Sequence, residues 1–166
     1  MIASTHVIVG GAVGIAVGAA THNPIAALAA GFASHLVLDA IPHFDHPDVP
    51  KVNDELVWTR AVWIFALADS IFAFLLTLFI WLNFYSFPTL TPYALGALGG
   101  YLPDLIDNVP FWKQKLRALP VFREFHAFHQ RIHDWEKFLP MPRFWFLGTV
   151  TQIALVVPAL IYILIG

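Results

Sequence analysis

The chain has 166 residues, of which 58% are hydrophobic and only 12% are charged. Its length suits one domain, but its composition is far from that of a soluble domain, in which about 25% of residues are charged. The net charge of −2 and the lack of a basic stripe with interleaved aromatic residues argue against a nucleic-acid partner. No cysteine is present, which excludes disulfides and thiolate zinc sites, so any metal site must use imidazole and carboxylate.

Five segments approach the length and apolarity needed to cross a bilayer, which takes about 20 residues within a range of roughly 17–25. They cover residues 7–21, 24–42, 61–82, 92–108 and 144–165. The sequence therefore predicts an all-α integral membrane protein with a single transmembrane domain over residues 1–166. The first segment is rich in glycine and alanine, which suits close helix packing within the chain or in a homodimer. No basic region precedes it, so we expect a retained helix and not a signal peptide.

The stretch 111–140, before the last segment, has the periodicity of an amphipathic helix. Its apolar face is formed at spacings of three and four by Phe122, Phe125, Phe128, Ile132 and Trp135. Such a helix lies in the membrane interface with its basic residues at the headgroups. The adjacent stripe consists of His126, His129, His133 and Glu136. We expect this interfacial helix to hold its imidazoles over one end of the bundle.

The basic residues are unevenly distributed over this topology. If the five segments alternate, the N-terminus and the 43–60 and 109–143 loops share one side, which carries all nine Lys and Arg residues. The positive-inside rule makes that side cytoplasmic. The sequence therefore predicts a multi-pass protein of the cytoplasmic (inner) membrane, with the N-terminus and the interfacial helix inside and the C-terminus outside.

Ionisable side chains are concentrated near the cytoplasmic ends of the predicted helices. An Asp at the bilayer centre costs about 2.5–3.5 kcal/mol on insertion scales, so several of them need a compensating partner, such as a divalent cation. His35 and Asp39 are four residues apart, on one helix face, and can reach a common ion. Asp104 and Asp107 would repel each other unless a proton or a cation lies between them. Seven residues could thus form one metal site: His6, His35, Asp39, Asp104, Asp107, His129 and His133.

This set exceeds the four ligands of a single tetrahedral zinc and favours two ions that share a bridging ligand. Zinc is the first candidate, while manganese, iron and cobalt also accept mixed nitrogen and oxygen ligands. His126 or Glu136 could be the general base, because each could lie beside the ion without binding it. Asp69 and His43 are predicted to support the ligands from outside the coordination sphere.

Each motif also has an ordinary structural interpretation. His35 and Asp39 could form a structural hydrogen bond, and Asp104 and Asp107 could be solvated acids at a helix end. The histidines of 126–133 could be the polar face of an interfacial helix. Asp69 is equally consistent with a packing hydrogen bond inside the bundle.

These motifs resemble those of the predicted membrane-bound metal-dependent hydrolases of bacteria and archaea, the DUF457 or YdjM-like family. The similar runs are Thr5-His6, Gly31-Phe-Ala-Ser-His35-Leu-Val-Leu-Asp39, Leu102-Pro103-Asp104-Leu-Ile-Asp107 and His129-Gln-Arg-Ile-His133. Here the Ser-His…Asp motif precedes the Pro-Asp motif, the reverse of the family order. The resemblance implies a membrane-bound hydrolase whose metal ligands are the seven residues named above. More loosely, Asp39-Ala-Ile-Pro42-His43 is similar to a run in zinc-dependent phospholipases C, which implies lipid or phosphoester substrates.

The leading hypothesis is an integral-membrane hydrolase that uses metal-activated water on an ester or phosphoester of a lipid or membrane-associated molecule. The main alternative is a membrane metal-binding or ion or proton transport protein without hydrolytic activity. A transport path needs polar groups along its whole length, whereas residues 10–21, 71–82 and 146–165 carry no charge. A haem protein would leave Asp104 and Asp107 without a role. A scaffold with a structural metal is the remaining interpretation.

Overall fold

A computed structural model of the protein describes residues 2–43, 51–52, 55–84, 87–133 and 143–165. Within these ranges lie seven helices: α1 (Ala3–Thr21), α2 (Pro24–Asp39), α3 (Arg60–Phe84), α4 (Phe87–Asp107), α5 (Lys113–Arg117), α6 (Pro120–Ile132) and α7 (Arg143–Ile165). Two short strands, β1 (Lys51–Val52) and β2 (Glu55–Leu56), pair in antiparallel orientation. Apart from this pair, the predicted helical fold is confirmed.

Helices α1 and α2 form a hairpin whose turn follows from the local sequence. His22 takes a left-handed conformation with a φ of 52° and donates its N–H to the Gly18 carbonyl at 2.9 Å, which ends α1. The Asn23 side chain accepts a first-turn N–H of α2 at 2.9 Å, and Pro24 opens that helix. The hairpin therefore returns the end of α2 to the level of the start of α1.

The central helix α1 contacts α2, α3, α4 and α7. Its close approach to α4 depends on glycine, because a Cβ on Gly10 would lie 2.6 Å from the Gly96 carbonyl oxygen. A Cβ on Gly31 of α2 would lie 2.8 Å from the Gly96 carbonyl carbon. Backbone atoms cannot yield at such distances, so α1, α2 and α4 pack this closely only where side chains are absent.

Among the described residues, three helical stretches are long and apolar enough to cross a membrane: Ala3–Thr21, Arg60–Asn83 and Phe146–Ile165. The sequence predicted five, and α2 and α4 fall short for different reasons. Helix α2 has 16 residues, which measure about 24 Å at roughly 1.5 Å per residue, less than the roughly 30 Å hydrocarbon core. Helix α4 contains Pro92 and Pro103 and ends with Asp104 and Asp107, which makes it less apolar than the other long helices.

The predicted interfacial segment 111–140 is divided into α5 and α6, and Pro120 opens the second of them. Helix α6 buries His129 against the bundle and leaves Val121 and Phe128 exposed at 77% and 51%. Its histidine stripe therefore faces inward, while Phe128 of the predicted apolar stripe faces outward. Glu136 lies outside the described residues.

Candidate metal centre

The fold brings most of the predicted ligands to one end of the bundle. His6 lies near the start of α1, His35 and Asp39 on the last turns of α2, and the carboxylates of 104 and 107 at the end of α4. Helix α6 supplies the remaining histidines and contacts α2. Six of the polar side chains gathered here are buried: His6, His35, Asp39, His43, Asp107 and His129. These side chains, which the sequence places near the ends of the predicted helices, lie together in the structure.

The carboxylate of Asp39 is the centre of this group, and five imidazoles direct their Nε2 atoms at it. On one oxygen, Oδ1, the distances are 3.1 Å to His6 and 3.8 Å to His43. On the other, Oδ2, they are 2.9 Å to His35, 3.1 Å to His129 and 3.2 Å to His133. One buried carboxylate therefore meets histidines from α1, α2 and α6 and from the residues that follow α2 and α6.

The orientation of three of these rings is fixed by hydrogen bonds at the opposite nitrogen. Nδ1 of His35 donates to the Gly100 carbonyl at 2.7 Å, that of His43 to the Ile41 carbonyl at 2.8 Å, and that of His129 to the Asp107 carboxylate at 3.0 Å. A neutral ring that donates through Nδ1 carries its lone pair on Nε2. These lone pairs point at the oxygens of Asp39. Nitrogen and oxygen are then both hydrogen-bond acceptors, and they repel each other unless a proton or a metal ion lies between them.

The surroundings of His6 also indicate that a proton or a metal ion lies beside Asp39. Its side chain is fully buried, and neither ring nitrogen makes a hydrogen bond within the part of the chain that the structure describes. Nε2 is close to Asp39, at 3.1 Å, but is not aligned as a donor. The ring stacks on His35 with centroids 3.8 Å apart. A buried imidazole without hydrogen bonds is costly, and a cation bound at Nε2 would satisfy one of its two nitrogens.

Three overlapping groups in the described residues have the spacing of metal ligands, with their ligand atoms within 4.8 Å of one another. They are His6, His35 and Asp104; His35, Asp39 and His129; and Asp39, His43 and His133. In the second group, Nε2 of His35 lies 3.3 Å from Nε2 of His129. Ligands about 2.0–2.1 Å from a tetrahedral zinc lie about 3.3 Å from one another. The buried His and Asp groups could therefore hold a metal ion.

Asp107, which the sequence predicted as a ligand, occurs in none of these groups and contacts other side chains. Its Oδ1 accepts from His126 Nδ1 at 2.8 Å and from Arg117 Nε at 3.1 Å, while Oδ2 accepts from His129 at 3.0 Å. Arg117 also donates to the Asp107 carbonyl at 2.7 Å. The carboxylate thus orients two histidines of α6 at once, and an arginine balances its charge.

The two remaining carboxylates differ in their contacts. Asp104 lies 3.8 Å from His35 Nε2, accepts from Asn108 at 2.8 Å, and has a side chain 24% exposed. Asp69, predicted to support the ligands, accepts the Ser4 N–H at 3.3 Å in the first turn of α1. A carboxylate there balances the partial positive charge of the helix N-terminus. Asp69 therefore holds α1 in place, and with it His6, without touching a histidine in a contact that we observe.

Sequence reasoning missed two contributors and placed His43 outside the ligand set. The Gly100 carbonyl orients His35, and a backbone acceptor cannot be predicted from a pattern of side chains. Arg117 looks like one more basic residue of an interfacial segment. His43 follows Pro42 in a polar run, which is typical of a surface position, yet its side chain is fully buried and faces Asp39.

The charge of His129 depends on its two carboxylate neighbours. Burial, the largest single influence, lowers the pKa of His129, but hydrogen bonds to Asp107 and Asp39 raise it more, to about 9. Without a metal ion, a proton on this ring therefore supplies positive charge beside Asp39.

Comparisons with protein-family models, with curated proteins and with solved structures gave no match.

Proposed function

We propose that this protein is an integral-membrane, metal-dependent hydrolase whose ion is bound by His35, Asp39 and His129, with His6 and Asp104 beside them. The observation that carries the proposal is the pair of Nε2 atoms of His35 and His129 at one buried carboxylate, each ring being fixed by an Nδ1 hydrogen bond. Metal-binding histidines commonly donate their second ring N–H to a carbonyl or carboxylate in this way. Gly100 and Asp107 are the acceptors in this role, so we assign Asp107 to orientation and not to the ion.

Zinc fits this donor set best, because neutral imidazoles and a carboxylate in a buried site suit it, while manganese and iron accept the same ligands. When bound, such an ion would polarise the bond to be cleaved and lower the pKa of a water molecule. Hydrolysis would join the hydroxyl of this water to carbon or phosphorus, and the other proton of the water would pass to the departing alcohol.

We assign the proton transfer to His126. Its Nδ1–H donates to Asp107, which leaves Nε2 as the basic nitrogen, and the side chain is 22% exposed. This ring is more accessible than His35 and His129, which are fully or almost fully buried. His126 would take a proton from water and return it to the leaving oxygen, and Asp107 would stabilise the imidazolium that forms in between. Glu136 retains its sequence-based assignment as an alternative base.

The position of the centre suggests a substrate in or near the membrane. Three helices have the length and apolarity of membrane spans, and the centre lies at the end of the bundle where the basic segments α5 and α6 are placed. The positive-inside rule assigns this end to the cytoplasm. The substrate would then be an ester or phosphoester of a lipid or of a molecule held at the inner membrane surface.

The proposal is tested by metal analysis of detergent-purified protein, comparing the natural sequence with His35→Asn. Asparagine can still donate an amide N–H to Gly100 but has no group equivalent to Nε2. We expect stoichiometric metal and hydrolysis of an ester or phosphoester in the natural protein, and loss of both in the variant. His22→Asn, at the exposed turn on the opposite end of α1, is the matched control. A natural protein that binds no metal after reloading would refute the proposal.

Metal affinity is expected to increase with pH because an ion must displace the proton of His129. Because the pKa of His129 is about 9, the apparent metal affinity should rise by about tenfold per pH unit and level off near pH 9. In the metal-free protein, the proton on His129 stabilises the folded state, and this contribution falls as the pH rises. It is complete below pH 6.5 and is lost as the pH rises through about 9. Metal titrations across this range measure the first effect, and a flat profile would contradict it.

A further inference from the structure

The third ligand group shares Asp39 with the second group and does not include His35 or His129. We propose that Asp39, His43 and His133 hold a second divalent ion, so that Asp39 bridges two ions and the centre acts on anionic phosphoesters. This inference rests on the metal centre of the proposed function and adds to it a second site and a substrate class.

His43 has the position of a ligand. Its side chain is fully buried, and the Nδ1 donation to Ile41 at 2.8 Å turns Nε2 inward, as at His35. His43 is four residues beyond Asp39, just after the end of α2, and its Nε2 lies 3.8 Å from Asp39 Oδ1. This distance suits two ligands on one ion better than a direct hydrogen bond, which requires about 3.2 Å or less.

His133 completes the group from a different element. It follows the last residue of α6, and its Nε2 lies 3.2 Å from Asp39 Oδ2. The rings of His43 and His133 pack edge to face with centroids 5.5 Å apart. The Nε2 atoms of these two neighbouring rings both face the Asp39 carboxylate. All three ligand atoms lie within 4.8 Å of one another.

The carboxylate of Asp39 is placed to serve both groups. His35 and His129 meet Oδ2, whereas His43 approaches Oδ1, and His133 adds a contact at Oδ2. Carboxylates commonly bridge two ions about 3.5–4 Å apart in sites that hydrolyse phosphoesters. The three ligand groups together contain seven residues, too many for one tetrahedral ion, and division between two ions accounts for the excess.

A second ion changes the charge of the centre. Asp39 and Asp104 are the only carboxylates in the three ligand groups, and the charge of Asp107 is balanced by Arg117 at 3.0 Å. One divalent ion would be neutralised by these two carboxylates, whereas two ions would leave a net positive centre. A positive, desolvated centre favours an anionic phosphoester over a neutral carboxyl ester.

The test is the zinc stoichiometry of the full-length protein, measured by elemental analysis and calorimetric titration, for the natural sequence, His43→Asn, His133→Asn and the control His22→Asn. We expect two equivalents in the natural protein and the control, and one in each of the other two variants. A single equivalent in the natural protein, unchanged by His43→Asn, would overturn the second ion and leave the proposed hydrolase standing. No bound zinc in any form would overturn both.

A second measurement on the natural protein does not depend on the folding of a variant. Protein loaded with Mn²⁺ should give the electron paramagnetic resonance spectrum of two coupled ions, and the hyperfine pattern of isolated Mn²⁺ at full loading would overturn the bridge. Phosphodiester turnover should be lost in His43→Asn to a greater extent than carboxyl-ester turnover. Equal losses of the two activities would overturn the assigned substrate class.

Discussion

Asp39→Asn is expected to abolish stoichiometric metal binding while the protein still folds. The substitution preserves side-chain volume and removes the one negative charge that five imidazoles share. Loss of a residue that only supports a ligand weakens metal binding by about 10–100-fold, so loss of the shared ligand should weaken it by more than about 100-fold. Metal titration and elemental analysis of the purified variant measure this loss.

The fold should survive because the asparagine amide is a hydrogen-bond donor. Its N–H groups can donate to the lone pair on Nε2 of His35, which faced an acceptor before. We therefore expect the stability of the metal-free variant to remain within about 1.5 kcal/mol of the natural protein. Glu124→Gln is the matched control, since it removes a carboxylate from the exposed face of α6. Unchanged metal affinity in Asp39→Asn would show that Asp39 is not a ligand.

The sequence predicted the local parts of this centre better than its tertiary contacts. The His35 and Asp39 pair follows from helical spacing, and the histidine face of α6 follows from its periodicity. Which carboxylate each histidine meets depends on how α6 docks, and docking is not encoded in spacing within one helix. Asp107 illustrates the difference: its sequence position suits a ligand, but the docked α6 supplies two Nδ1–H donors and α5 supplies Arg117.

The number of membrane spans was overestimated for a related reason. Hydropathy identifies an apolar run but does not show where the helix within it ends, and α2 ends at Asp39. Helix α2 is apolar, yet its contacts are mainly with α4 and α1, and it is short. The same glycine and alanine content that resembles a weak span lets it pack closely enough to present two ligands.

Gly31→Val is expected to destabilise the protein and to weaken the metal centre together. A Cβ on Gly31 would lie 2.8 Å and 2.9 Å from backbone atoms of Gly96, so α2 must move away from α4. Overpacking usually costs about 1–3 kcal/mol, and because the clash is with backbone atoms of α4, we expect a cost near the upper end. Chemical denaturation in detergent measures the stability, and metal titration measures the affinity.

Ala29→Val is the matched control because it adds a β-branched side chain at an exposed position two residues away on α2. It should cost only the small difference in helix propensity, about 0.5–0.7 kcal/mol. A Gly31→Val protein as stable as this control would show that the helices do not need to pack so closely.

The coupling to metal binding follows from helix geometry. Gly31 and His35 are one turn apart on α2, and Gly96 and Gly100 are one turn apart on α4, so the glycine contact lies directly beside the hydrogen bond from His35 to the Gly100 carbonyl. A shift of α2 that relieves the new side chain also lengthens this hydrogen bond, which fixes the Nε2 lone pair of His35. Loss of a supporting contact of this kind weakens metal binding by about 10–100-fold. Gly31→Val should therefore reduce metal affinity by about that factor, although residue 31 binds no ion, and Ala29→Val should leave the affinity unchanged.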